Sequence, residues 1–68
     1  MTLSDIGHAV RTRRTELGLS QVQLARLSGL SRQTLVGLEN GTLNDLGINR
    51  VAQLLAVLGL DAPPLSTQ

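Results

Sequence analysis

Four stretches of this chain with helical apolar spacing each run into a glycine, at Gly18, Gly29, Gly41 and Gly59. Glycine just past an apolar run of helical period marks the left-handed residue that ends a helix. Serine stands two residues beyond the first two of these glycines, at Ser20 and Ser31, where its oxygen can cap the next helix. The punctuation predicts helices over about 3–17, 21–28, 32–40 and 48–58. Thr2 and Asp5 have the spacing of a capping box for the first. Pro63 and Pro64 forbid further helix, so a domain over residues 1–60 is expected to end in a flexible tail, 61–68. No stretch alternates with period 2, and the fold class expected is all-α.

Composition narrows the functions open to such a chain. Its 68 residues hold one small domain with a modest core, which must be aliphatic because Phe, Trp and Tyr are absent. The lack of cysteine excludes a disulfide framework and a thiolate metal site, and fits a reducing cytoplasm. No apolar run reaches the roughly 20 residues of a spanning helix, and no secretory leader is visible, so a soluble cytoplasmic protein without a membrane partner is expected. His8 is the only histidine and projects to the polar side of its helix. Asp5, Glu16, Glu39, Asp45 and Asp61 form no carboxylate cluster at helical spacing, so no metal, cofactor or enzyme chemistry is expected. The net charge is +1, yet all six cations are arginine. The guanidinium fork suits phosphate oxygens and guanine edges, although a GC-rich genome produces the same bias.

Projection at about 100° per residue places Leu3, Ile6, Val10 and Leu17 on one stripe of the first helix, with Arg14 in its middle. In the third helix Leu35 and Leu38 define the inward face and Glu39 lies at its margin. These two opposite charges are the only ones that intrude on the expected core, where a lone cation is costly. Arg14 and Glu39 are therefore expected to pair across those helices. Snorkelling of either side chain to water is the alternative.

Residues 21–40 have the layout of two short helices joined by a tight glycine turn. Ala25 is small where the helices must approach. Gly29 supplies the positive φ of the turn. Leu24, Leu30, Leu35 and Leu38 give apolar contacts, and Ser31 caps the second of the two helices. On that helix Gln33 and Gly37 lie opposite the Leu35/Leu38 stripe, with Val36 and Asn40 beside them.

Arg14, the Gly18-Leu-Ser-Gln21 run, Leu24-Ala25, Gly29-Leu-Ser31 and Leu38-Glu-Asn-Gly41 together resemble the Cro/C1-type helix-turn-helix, or Xre, family of bacterial and phage regulators. The resemblance covers about residues 3–60. It implies a compact four- to five-helix bundle of the lambda-repressor-like type that binds double-stranded DNA as a homodimer over two half-sites. It implies base reading by Arg32, Gln33 and Thr34 in the major groove, with Val36 and Gly37 on the same outward face. Gln bonds adenine and Arg bonds guanine through paired contacts, and Val36 can meet a thymine methyl. Phosphate contacts are implied for Gln21 and Asn40, with Ser20, Ser31 and Thr42 beside them. The family's buried Arg–Glu pair corresponds to Arg14 and Glu39.

Two positions depart from the family pattern. Gly37 stands inside a helix at a cost of roughly 1 kcal/mol against Ala, and Ser28 occupies a site that is commonly apolar. The loop at 42–47 has no cation, which suggests affinity that leans on dimerisation. In the fourth helix Ile48, Val51, Leu55 and Leu58 form the expected inward stripe, with Leu54 at its edge. Leu54, Val57 and Leu60 are the expected contact between two copies. Scattered exposed aliphatics are the ordinary alternative. Two rivals share the fold: an antitoxin of HipB type, which would bind a toxin protein as well as its operator, and a bundle that has lost DNA binding.

Overall fold

The computed structural model describes residues 2–60, and the tail expected at 61–68 lies outside the described residues. Four helices follow in order: α1 (Leu3–Glu16), α2 (Gln21–Ser28), α3 (Arg32–Asn40) and α4 (Ile48–Val57). No strand occurs among the described residues, and no helix among them is long and apolar enough to cross a membrane.

Each of the first three helices starts on a side chain that meets its free amides. Thr2 accepts from Asp5 N while the Asp5 carboxylate accepts from Thr2 N, closing a capping box. Ser20 closes the same box with Gln23, and Ser31 accepts from Thr34 N. α4 begins at Gly47 with no side-chain cap.

The core joins Val10 of α1 to Leu24 and Ala25 of α2, Leu30 of the turn, Leu35 and Leu38 of α3, Leu54 of α4 and Leu58, the residue that caps α4 at its carboxyl end. Leu3, Ile6, Leu19, Leu43 and Leu46 pack on its margin. Leu17 leaves the stripe expected for it: it is the C-terminal capping residue of α1 and is 43% exposed. The inward face of α4 also differs from expectation. Ile48 is 79% exposed, whereas Leu54 is fully buried. α4 carries aliphatic side chains nearly all the way round, so periodicity does not fix one face; the core selects Leu54 and Leu58, one turn apart, and Ile48 lies about 120° away from Leu54.

Two contacts lock α1 to its neighbours, and neither was visible in the apolar pattern. At Gly7 the helix rests directly on α3: a Cβ there would collide with the Leu38 carbonyl oxygen and lie 2.9 Å from its carbon. Only glycine permits that approach. Farther along α1, Arg13 Nε donates to Leu58 O at 3.0 Å, placing a cation at the carboxyl end of α4, where the helix dipole favours it.

Candidate nucleic-acid interface

The unit formed by α2, the turn and α3 is built to hold one helix end still. Gly29 adopts φ 73°, and Leu30 N donates to Ala25 O at 3.0 Å, which reverses the chain within the short turn before Ser31. The buried Ser28 hydroxyl is satisfied within its own helix, donating to Leu24 O at 2.7 Å, so a polar residue at this site leaves no orphan group. Leu35 and Leu38 sink one side of α3 into the core, which turns the opposite side outward.

The carboxyl end of α3 is tied to three other segments through Glu39. Arg14 Nε donates to Glu39 Oε2 at 2.8 Å and its second terminal nitrogen donates to Oε1 at 2.9 Å, a two-pronged ion pair. The remaining fork nitrogen of Arg14 donates to Leu19 O at 2.8 Å, fixing the connection into α2. Gln21 Nε2 donates to Glu39 Oε1 at 3.1 Å. The Glu39 side chain is 1% exposed and that of Arg14 12%. The hydrogen bonds to Glu39 hold the Arg14 guanidinium above its ordinary value, against the opposing effect of burial. One network thus spans α1, the α1–α2 turn, the first residue of α2 and the penultimate residue of α3.

At the amino end of α3 the side chains are left free. Arg32 and Gln33 are exposed and make no side-chain hydrogen bond or ion pair among the described residues. Thr34 and Val36 are half-buried, and Thr34 Oγ1 shares a hydrogen bond with Ser31 Oγ at 2.8 Å. The first turns of α2 and α3 contain no acidic residue, so both positive helix ends remain uncompensated.

The other sequence-derived site residues fall in three places. Ser20, Asn40 and Thr42 are exposed at helix ends, Thr42 Oγ1 lying 3.4 Å from Gly37 O. Gln21 is half-buried and has given one amide hydrogen to Glu39, which leaves one for any phosphate. Gly37 does not belong to the outward face expected for it. A Cβ at Gly37 would point into the loop, 3.5 Å from Thr42 Oγ1 and 3.6 Å from Leu43 Cβ. The loop folds back over this side of α3 because Thr42 N and Leu43 N both donate to Gly37 O. The expectation for Leu54 as a contact between copies is likewise corrected, since a fully buried side chain offers nothing to a partner. Val57 and Leu60 pack half-buried against the core.

Sequence reasoning passed over Gln23, although Ser20 followed by Gln23 has the capping-box spacing that signals it. It also passed over Arg13 and Gly7, whose partners are backbone atoms of distant segments.

Two capped short helices crossing through a glycine turn, the second with its apolar side buried and its amino end free, define a helix-turn-helix fold. A model of the family described as Helix-turn-helix matches residues 10–65, most of the chain. The chain belongs to this family in its Cro/C1-type, Xre-like form, and is a DNA-binding helix-turn-helix regulator. No curated protein and no solved structure matches it.

Proposed function

We propose that this regulator is a repressor that binds a palindromic operator as a dimer, reading bases with Arg32 and Gln33 from the amino end of α3. The observation that carries the reading is the contrast within α3: its carboxyl end is fixed by Arg14 and Gln21, while Arg32 and Gln33 stand exposed and unpaired among the described residues at a positive helix end. Arg32 matches the donor pattern for guanine O6 and N7, and Gln33 that for adenine N6 and N7. Thr34 and Val36 supply shorter contacts beside them. Ser20, Gln21, Ser31, Asn40 and Thr42 contact phosphates and set the register without reading sequence. With Leu54 removed from consideration, Val57 and Leu60 carry the contact between copies. Such a protein works where the DNA is, in the cytoplasm of a bacterium or of a phage-infected cell.

The test is selection of bound sequences from random DNA. A palindromic site is expected, and Arg32→Ala or Gln33→Ala should relax base choice at one position per half-site, at about 1–3 kcal/mol of discrimination each. Gln21→Ala should weaken all sequences alike. Recovery of no preferred sequence, or identical behaviour of the two kinds of variant, would overturn the reading.

A second reading is favoured by the exposure of Ile48 and Leu27, 79% and 58%. Large aliphatics held in water suit a protein partner, as in an antitoxin of HipB type. Co-purification with the product of the adjacent gene, lost on Ile48→Asp, distinguishes it.

A further inference from the structure

The peptide unit between Asn40 and Gly41 has a chemistry of its own. Asn40 is the exposed last residue of α3, and its successor has no side chain. An asparagine amide is attacked most readily by the next backbone nitrogen when no Cβ obstructs the approach, so an Asn-Gly pair is the most reactive of its kind. In the folded chain that nitrogen is occupied: Gly41 sits at φ 79°, and its N–H donates to Gly37 O and, at 3.3 Å, to Leu38 O. Thr42 N at 2.9 Å and Leu43 N at 3.1 Å donate to the same Gly37 oxygen and close the cap. The reaction must therefore wait for these capping bonds to open, an event just beyond Glu39 that leaves its side-chain network in place, and local openings of this kind cost less than global unfolding. Asn44 and Asn49 are also exposed, but Asp45 and Arg50 follow them.

We propose that Asn40–Gly41 is a self-modification site whose rate is set by opening of the α3 cap, and that the product switches off DNA binding. The second half rests on the reading of Asn40 as a phosphate contact. The Gly41 nitrogen, giving up its proton, bonds to Asn40 Cγ, and the side-chain nitrogen takes up that proton and leaves as ammonia. Water then opens the resulting cyclic imide at one of its two C–N bonds, giving aspartate or isoaspartate. One water is consumed and one ammonia released, with no oxidant or reductant. Either product places a carboxylate at the negative end of α3, opposite a phosphate. Isoaspartate also lengthens the backbone by one methylene and carries Gly41 and Thr42 away from Gly37 O.

The full chain is incubated at mildly alkaline pH, folded and in urea, and residues 40, 44 and 49 are followed by peptide mass, with isoaspartyl methylation to separate the products. Hydrogen exchange of the Gly41 amide is measured in parallel. Asn40 is expected to convert first in both states, and about tenfold or more slowly in the folded chain, by the same factor that protects the Gly41 amide. Earlier conversion of Asn44 or Asn49, or a protected Gly41 amide beside an unprotected Asn40, overturns the site. The converted chain, separated by its added charge, is expected to bind DNA about tenfold more weakly, and Asn40→Asp to reproduce that loss. Equal binding of converted and parent chains overturns the switch. If neither binds DNA, the regulator reading and the switch fall together, while the mass measurements still decide the modification.

Discussion

The two ends of α3 belong to one short helix and are built on opposite plans. At Glu39 the chain uses a buried carboxylate, a two-pronged arginine and a glutamine amide drawn from other segments. At Arg32 and Gln33 it uses nothing beyond a serine cap, and two long polar side chains remain in water. Placing the helix and reading with it are thereby separate tasks. Substitutions at the fixed end should act on stability, and substitutions at the free end on sequence choice with stability almost unchanged.

The largest expected effect breaks the fixed end. Glu39→Ala leaves the Arg14 guanidinium largely buried without its carboxylate and should cost about 3–5 kcal/mol, most of the stability of a domain this small. Arg32→Ala should leave the melting temperature nearly where it was, within about 0.5 kcal/mol. Thermal unfolding of the two variants side by side checks the contrast, and equal losses would abolish it. Next in size is Gly7→Ala, which drives a methyl group into the Leu38 carbonyl at the crossing of α1 and α3. A loss of roughly 1–3 kcal/mol is expected, as for other overpacked contacts. Unchanged denaturant midpoints would show that α1 shifts freely along α3.

Gly37→Ala sharpens the comparison with an effect of opposite sign. Its new Cβ meets Thr42 and Leu43 at 3.5–3.8 Å, ordinary contact distance, and the helix gains a better former. Stability should rise by about 1 kcal/mol, and binding to the selected DNA should not change, because the methyl group points at the loop. A loss of DNA affinity in this variant would return Gly37 to the DNA-facing side.

These cases show which parts of the fold a sequence displays. Glycine and serine punctuation is local, so α2 and α3 lie at the residues that spacing alone indicates. Arg14 and Glu39 were legible as a pair because Arg14 stands within an aliphatic stripe and Glu39 at the margin of another, where a lone buried cation is costly. Gly7 was not legible, since what excludes a side chain is a carbonyl of α3, two helices later, and nothing in α1 announces the crossing point. Arg13 was missed for a related reason: its acceptor is a main-chain oxygen, which has no residue type to recognise. On α4 the difficulty was excess, because aliphatics at Ile48, Val51, Leu54, Leu55, Val57 and Leu58 offer several equivalent faces. The free residues at the DNA-facing end were legible in identity, whereas the turning away of Gly37 required the backbone of the following loop.

The smallest effect concerns the cap of α1, which, unlike the Glu39 network, lies entirely in water. The Thr2 amide and then the Thr2 hydroxyl bond to Asp5 and hold its carboxyl below the ordinary value of 3.8. A group depressed on folding adds stability at pH values above its unfolded value and loses that stability as pH falls through the folded one. The α1 cap should therefore weaken below about pH 4. The raised Arg14 works in the other direction: its contribution is complete throughout the acid and neutral range and fades only in strong alkali, so the guanidinium itself does not titrate in acid. Asp5→Asn keeps a side-chain acceptor for the Thr2 amide but removes the titration. In this variant the backbone amide resonances of positions 2 and 5 should lose their shift between about pH 5 and 2, while the parent chain shows it at Thr2 and Asp5. An acid shift at Thr2 that survives the substitution would place its origin in another carboxylate and detach the cap from the pH response.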